Sequence, residues 1–207
     1  MLKLLRSMQC AAFVLLGTNA LAADDAIKDV QTVPLHPGLN VVKAFLPNGD
    51  DATILQVWRD NGNAHGYTIF SVMRQPKPGI WEIIDVGGKD TIEDVPHTGE
   101  DNVTSVRFAR GVVDRAKASL LIVAQRNLAG TQSYYDRTTT TISYYRLIDA
   151  SDKGPGTTPF TFQLVEAVHP KQLYCNSDLA LSKEAGLPLL VTYGGPNTVD
   201  GCFPEKR

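Results

Sequence analysis

From Ala52 to Val168 the chain is a succession of short β-branched and aromatic runs punctuated by turn formers, and this alternation points to a mainly β fold. Residues 52–59 (ATILQVWR) and 66–74 (GYTIFSVMR) flank Asp60-Asn61-Gly62-Asn63-Ala64-His65, the pattern of a hairpin. Residues 80–86 follow the turn-rich Gln75-Pro76-Lys77-Pro78-Gly79, and in residues 104–110 Val106 and Phe108 share a face. Residues 119–125 (SLLIVAQ) are apolar on both faces, as in a central strand covered on both sides. Residues 138–148 and 160–168 read as a long antiparallel pair, with Phe160, Phe162 and Leu164 on one side and a Gly/Pro/Ser/Thr loop over 151–159. One helix is expected over 178–185. Asn176 or Ser177 is its N-cap, Asp178 lies in the first turn, and Gly186 follows the last turn with Pro188 beyond it. There is no solenoid repeat, and the chain is short for a complete propeller. The expectation is an antiparallel β-sandwich or a strongly curved sheet with one short C-terminal helix.

The first 22 residues stand apart. Lys3 and Arg6 precede the apolar run 10–17, and Ala20-Leu21-Ala22 follows, in the order of a cleaved secretory signal peptide. The run is too short for a membrane anchor, which needs roughly 20 apolar residues. Cys10 begins the run instead of following it, unlike a lipidated cysteine. Residues 23–207 are then expected to form a single mainly β domain in the periplasm. Removing the signal leaves Cys175 and Cys202, and an oxidising compartment favours one disulfide between them. The competing reading, a thiol nucleophile or metal ligand, has only His169 nearby in sequence.

Charge excludes one class of partner. Twenty Lys and Arg stand against 22 Asp and Glu, with no basic stripe interleaved with aromatics, so nucleic acid is not an expected partner. The common catalytic signatures are missing too. There is no G-x-S-x-G, no S-x-x-K, S-D-N or K-T-G, and none of His36, His65, His97 and His169 belongs to H-x-H or H-E-x-x-H. No enzyme activity, cofactor or metal is expected. Asn48-Gly49-Asp50-Asp51 sets oxygens around a Gly turn as calcium loops do, but its flanks at Leu46 and Ile54 add no carboxylate, so a polar turn is the simpler reading.

The densest polar constellation is Trp58 to Tyr67. Arg59 supplies a guanidinium fork, Asn61 and Asn63 orientable amides, and His65 a titratable donor, a set suited to a carboxylate or a sugar. The same Asn and Gly residues are also what a turn requires. Arg126, at the end of the doubly apolar strand, is a further candidate; its buried guanidinium would need a partner such as Asp60 or a later carboxylate. Tyr134, Tyr135, Tyr144 and Tyr145 form two adjacent pairs, of which alternation sends one member each to the core.

Several short motifs occur in an order that resembles the periplasmic carbapenem self-resistance proteins, the CarG-like family. They are Asn61-x-Asn63-Ala64-His65 entering a strand, Ile122-Val123-Ala124-Gln125-Arg126 before a Tyr-rich stretch, Phe160-Thr161-Phe162, and Tyr174-Cys175-Asn176 opening a short helix. The likeness runs from about Leu39 to Leu187. It departs at the calcium-like turn, which is less acidic than such proteins carry, and at residues 100–108, which lack a cysteine. The resemblance implies protection against a carbapenem without hydrolysis, through a bound small molecule or envelope protein, and it carries over no catalytic residue. The alternatives are an envelope hydrolase with dispersed catalytic residues and a glycan-binding module.

Overall fold

The computed structural model describes residues 27–62, 66–95, 103–131, 136–154 and 158–189. Along them run β1 (Lys28–Thr32), β2 (Gly38–Val42), β3 (Ala52–Arg59), β4 (Tyr67–Lys77), β5 (Ile80–Val86), β6 (Ile92–Asp94), β7 (Thr104–Val113), β8 (Ala116–Arg126), β9 (Thr140–Asp149), β10 (Phe160–Val168) and one helix, α1 (Ser177–Ala185). Residues 1–22, Asn63, His65, Tyr134, Tyr135 and Cys202 lie outside the described residues.

Hydrogen bonding joins the strands in the order β1-β7-β8-β9-β10-β5-β4-β3-β2, with β6 paired to β4 off this path. Every ladder is antiparallel except one. β10 runs parallel to β5, through Thr161 opposite Asp85 and Phe162 opposite Val86. Two antiparallel arms therefore meet at a seam two residue pairs long. Of the two architectures expected, the structure takes the curved sheet. Its path is continuous, and it curls until the inward faces of both arms share one core. Ile54, Phe70, Val72 and Ile84 from one arm meet Val106, Phe108, Leu121, Leu147, Phe160 and Phe162 from the other, all buried. Phe108 lies at the centre, with its ring edge-on to Phe70 at 5.5 Å, Phe162 at 6.4 Å and Phe45 at 6.5 Å. Burying each such side chain contributes about 1.5–3 kcal/mol.

The double-sided apolar pattern of residues 119–125 has its reason here. Leu121 faces the shared core, whereas Leu120, Ile122 and Ala124 face outward and are covered, with Ala109, Val113 and Ile142, by Leu181 and Leu187 in and after α1. Asn176 is the N-cap: its Oδ1 accepts from the backbone N–H of Asp178 at 2.8 Å and of Leu179 at 3.2 Å. Gly186 closes the helix at φ 65°, its N–H donating to the Leu181 carbonyl.

Three strands were not legible beforehand: β1, β2 and β6. The strand β4 also runs through Pro76, where a turn was expected. A register shift between Arg74 and Lys77 accommodates the missing N–H, and the turn shrinks to Pro78-Gly79. Among the described residues no helix is long and apolar enough to cross a membrane.

Candidate functional site

Alternation along β8 arranges the interior from end to end. Its inward positions are Lys117, Ser119, Leu121, Val123 and Gln125, so the row is polar at both ends and apolar in the middle, where the core plugs the curl. A cavity opens at each end. The larger, of about 760 Å³, has Phe45, Leu46 and Leu147 among its apolar lining and Arg110, Lys117, Ser119, Gln31 and Asp29 among its polar groups. Its volume is that of a small-molecule pocket. The smaller, of about 450 Å³, brings Thr104, Gln125, Tyr145, Lys89 and Glu93 around Val86, Ile92 and Val123.

Arg110 shapes the larger mouth. Its guanidinium donates to the carbonyls of Lys43 and Ala44 and lies 5.9 Å from the Phe45 ring centroid, fixing the chain beyond β2 against β7. The Lys117 side chain has no ion-pair or hydrogen-bond partner among the described residues, and the residue is exposed. The mouth thus offers one uncommitted cation and one carboxylate, Asp29, beside apolar walls. That set can hold a small ligand with an acidic group.

The sequence-derived candidates lie elsewhere. Arg59 ends β3 on the outer side of the sheet, opposite Tyr67; it donates to the Tyr67 hydroxyl and lies 5.3 Å from that ring's centroid. Asp60 Oδ1 accepts from the Gly62 N–H at 2.7 Å, an Asx turn at the hairpin tip, and Asn61 beside it is exposed and engaged. Trp58 lies across Gly66, where an added Cβ would come within 2.3 Å of the indole. Arg126 is buried as expected, but on the outer face, beneath the start of α1. Instead of the side chain of Asp60 it finds the carbonyls of Tyr174, at 3.1 Å, and Asp136, at 2.6 Å. Neither cavity is lined by Arg59, Asn61 or Arg126. Cys175 is fully buried and engaged, immediately before the helix cap. In the turn at Asn48 to Asp51 the oxygens serve local bonds: Asn48 donates to Asp50 at 2.7 Å, while Asp51 accepts from Lys43 Nζ at 2.7 Å and from the Ala44 N–H at 3.0 Å.

A second polar cluster lies under α1. Arg107 points outward from β7 into the helix start, where it ion-pairs with the fully buried Asp178 and lies 3.8 Å from Asp94. Ser105 and Ser177 share a hydrogen bond of 2.8 Å beside them. Burial raises the Asp94 carboxyl, opposed by the Val106 N–H and the Arg107 charge; burial also lowers Arg107, opposed by Asp94. These groups are committed to each other, so the cluster reads as the polar fastening of α1.

Lys117, Ser119 and Gln125 were missed as site residues, although the signal was present. In Ala116–Arg126 the alternate residues read polar, polar, apolar, apolar, polar, which is the trace of an inward row open at both ends.

Among solved structures, the fold matches the crystal structure of CarG with a TM-score of 0.60, over 76% of this chain and 99% of that one, at 18% sequence identity. The resemblance read from the sequence therefore holds at the level of fold. No family model and no curated protein sequence matches the chain.

Proposed function

We propose that this chain is a non-catalytic periplasmic protein of the carbapenem self-resistance type, which protects by binding a small molecule or an envelope protein instead of hydrolysing the antibiotic. The observation that carries the proposal is the curled sheet it shares with CarG. The larger mouth supplies a place for a ligand: a carbapenem is an acid, and Lys117 is an uncommitted cation at the rim of a cavity of suitable size.

The test pairs cells with purified protein. Carbapenem-sensitive cells expressing the chain are expected to survive higher carbapenem doses, while the purified protein incubated with carbapenem yields no product. Appearance of a hydrolysed product sinks the non-catalytic reading, and absence of protection at normal periplasmic abundance sinks the resistance role. Lys117→Ala is expected to weaken ligand binding about tenfold to a hundredfold, the loss of one charged hydrogen bond, at an unchanged thermal midpoint. Export and the Cys175–Cys202 bridge belong to the same reading. Periplasmic protein is expected to begin at residue 23 or 24 and to give the linked pair on non-reducing peptide mapping. Free alkylation of both thiols without reductant rejects the bridge.

A further inference from the structure

The two mouths of the curl differ in charge. Arg110, Lys117 and Arg146 outnumber Asp29 at the larger one, whereas the smaller has one Lys and one Glu, Lys89 and Glu93, among otherwise neutral groups. Strand register explains where those neutral groups come from. Thr104 lies opposite Gln125, and Gln125 opposite Thr141, so a polar rung crosses the inward face of β7, β8 and β9. His169, just past β10, extends it by sharing a hydrogen bond of 3.2 Å with the Thr141 hydroxyl. Next to the rung, Val86, Ile92 and Val123 form an apolar wall with Tyr145. The opposite side of the mouth is held by backbone bonds. The Val95 N–H donates to the Thr104 carbonyl at 3.0 Å, and the Val95 carbonyl accepts from the Val103 N–H at 3.1 Å. Val86 and Lys89 exchange backbone bonds of 2.8 and 3.1 Å across Gly87 and Gly88, whose φ of 57° and 82° would strain a larger residue. The cavity is therefore preformed.

We propose that this smaller mouth binds a neutral, hydroxyl-rich ligand of the sugar class. The side chains of Thr104, Gln125, Tyr145 and Lys89 have no hydrogen-bond or ion-pair partner among the described residues, so the polar groups around the cavity are free to serve a ligand. An amide and hydroxyls both donate and accept, as sugar hydroxyls do, so each partner can supply either half of a bond. A carboxylate or phosphate would call for an excess of cationic donors, and Lys89 is balanced by Glu93. The apolar wall and the Tyr145 ring suit the C–H face of a pyranose, which sits on aromatic and aliphatic surface while its rim stays polar. The volume of about 450 Å³ is that of a small-molecule site. No lining residue is shared with the larger mouth, so the proposal does not depend on what binds there. The same chemistry is offered by a free saccharide and by a glycan chain.

Ligand-detected NMR followed by calorimetric titration tests this on the full chain, with maltose, cellobiose and N,N′-diacetylchitobiose as neutral probes and glucuronate as the charged comparison. A neutral disaccharide is expected to bind and glucuronate to bind more weakly. The longer oligosaccharide built from the same unit then separates the two sources: tighter binding identifies a glycan chain running through the mouth, and equal binding a free sugar or a chain end. Gln125→Ala is expected to weaken the disaccharide about twofold to tenfold, the loss of one neutral hydrogen bond, at an unchanged thermal midpoint. Tyr145→Phe, which keeps the ring and removes the hydroxyl, is expected to act likewise. Several results overturn the proposal: no binding of any neutral probe at millimolar concentration; a preference for glucuronate; binding that survives both Gln125→Ala and Tyr145→Phe; or binding abolished by Arg59→Ala, which would place the sugar at the β3–β4 hairpin instead.

Discussion

Asp178 shows how far a single residue can be read. Its place in the first helical turn follows from the sequence, as does its favourable position at the positive end of the helix dipole. Its burial and its pairing with Arg107 do not, because the partner is 71 positions away and only the sheet brings it there. Arg126 is similar: burial was legible from its place at the end of an apolar strand, whereas the carbonyls that hold it depend on how the chain returns near Tyr174. Asp94 gives this scale its measurable consequence. Its folded-state pKa lies above the ordinary 3.8, so the folded protein holds that proton more tightly than the unfolded chain. The resulting stability is complete below the ordinary carboxylate value and is lost as pH rises through the raised one. Asp94→Asn keeps an acceptor for the Val106 N–H and removes the titration. Between about pH 4 and pH 7 the native protein is therefore expected to lose more stability than the variant. Thermal midpoints measured across that range decide it, and parallel profiles for the two proteins contradict it.

Strands with a strong alternating or doubly apolar pattern, β3, β5, β8 and β10, were legible because side-chain chemistry alone specifies them. β1, β2 and β6 are three to five residues long with mixed composition, and they are strands because neighbours offer them ladders. The Arg59 hairpin drew attention because it is locally dense, whereas the mouth residues come from β1, β7 and β8 and meet only after the sheet curls. One glycine shows how tightly β1 is held. A Cβ at Gly111 would lie 2.9 Å from Leu120 Cδ1 and 3.1 Å from the Lys28 carbonyl, and Leu120 is fully buried and cannot yield. Gly111→Ala is expected to lower stability by about 1–3 kcal/mol and to release β1 amides to exchange while those of β3 and β4 stay protected. Unchanged protection at β1 would show that the strand absorbs the methyl.

At the scale of the molecule, the choice between a sandwich and a curved sheet turned on one pairing that no local pattern announces, the short parallel contact of β10 with β5. Because backbone pairing between the arms is short, two pairs at that seam and a bridge from Val95 to Thr104, the core must do most of the work of holding them together, and Phe108 touches aromatic rings from both. Phe108→Ala is expected to cost about 3–5 kcal/mol, a fall of roughly 6–20 °C in the thermal midpoint at about 2–4 °C per kcal/mol for a chain this long. Differential scanning calorimetry measures it, and a fall of less than a few degrees would place the junction elsewhere. The position of β1 has a consequence for time as well as for space. Among the described strands β1 comes earliest in the chain, yet its ladder is with β7, so that Thr32 must await Ala109. The β2–β6 stack, complete by Asp94, can assemble while the opening segment is still without its mate. The earliest of the described strands is thus among the last to find its place, and until then the chain depends on whatever keeps an unfinished sheet from meeting other chains.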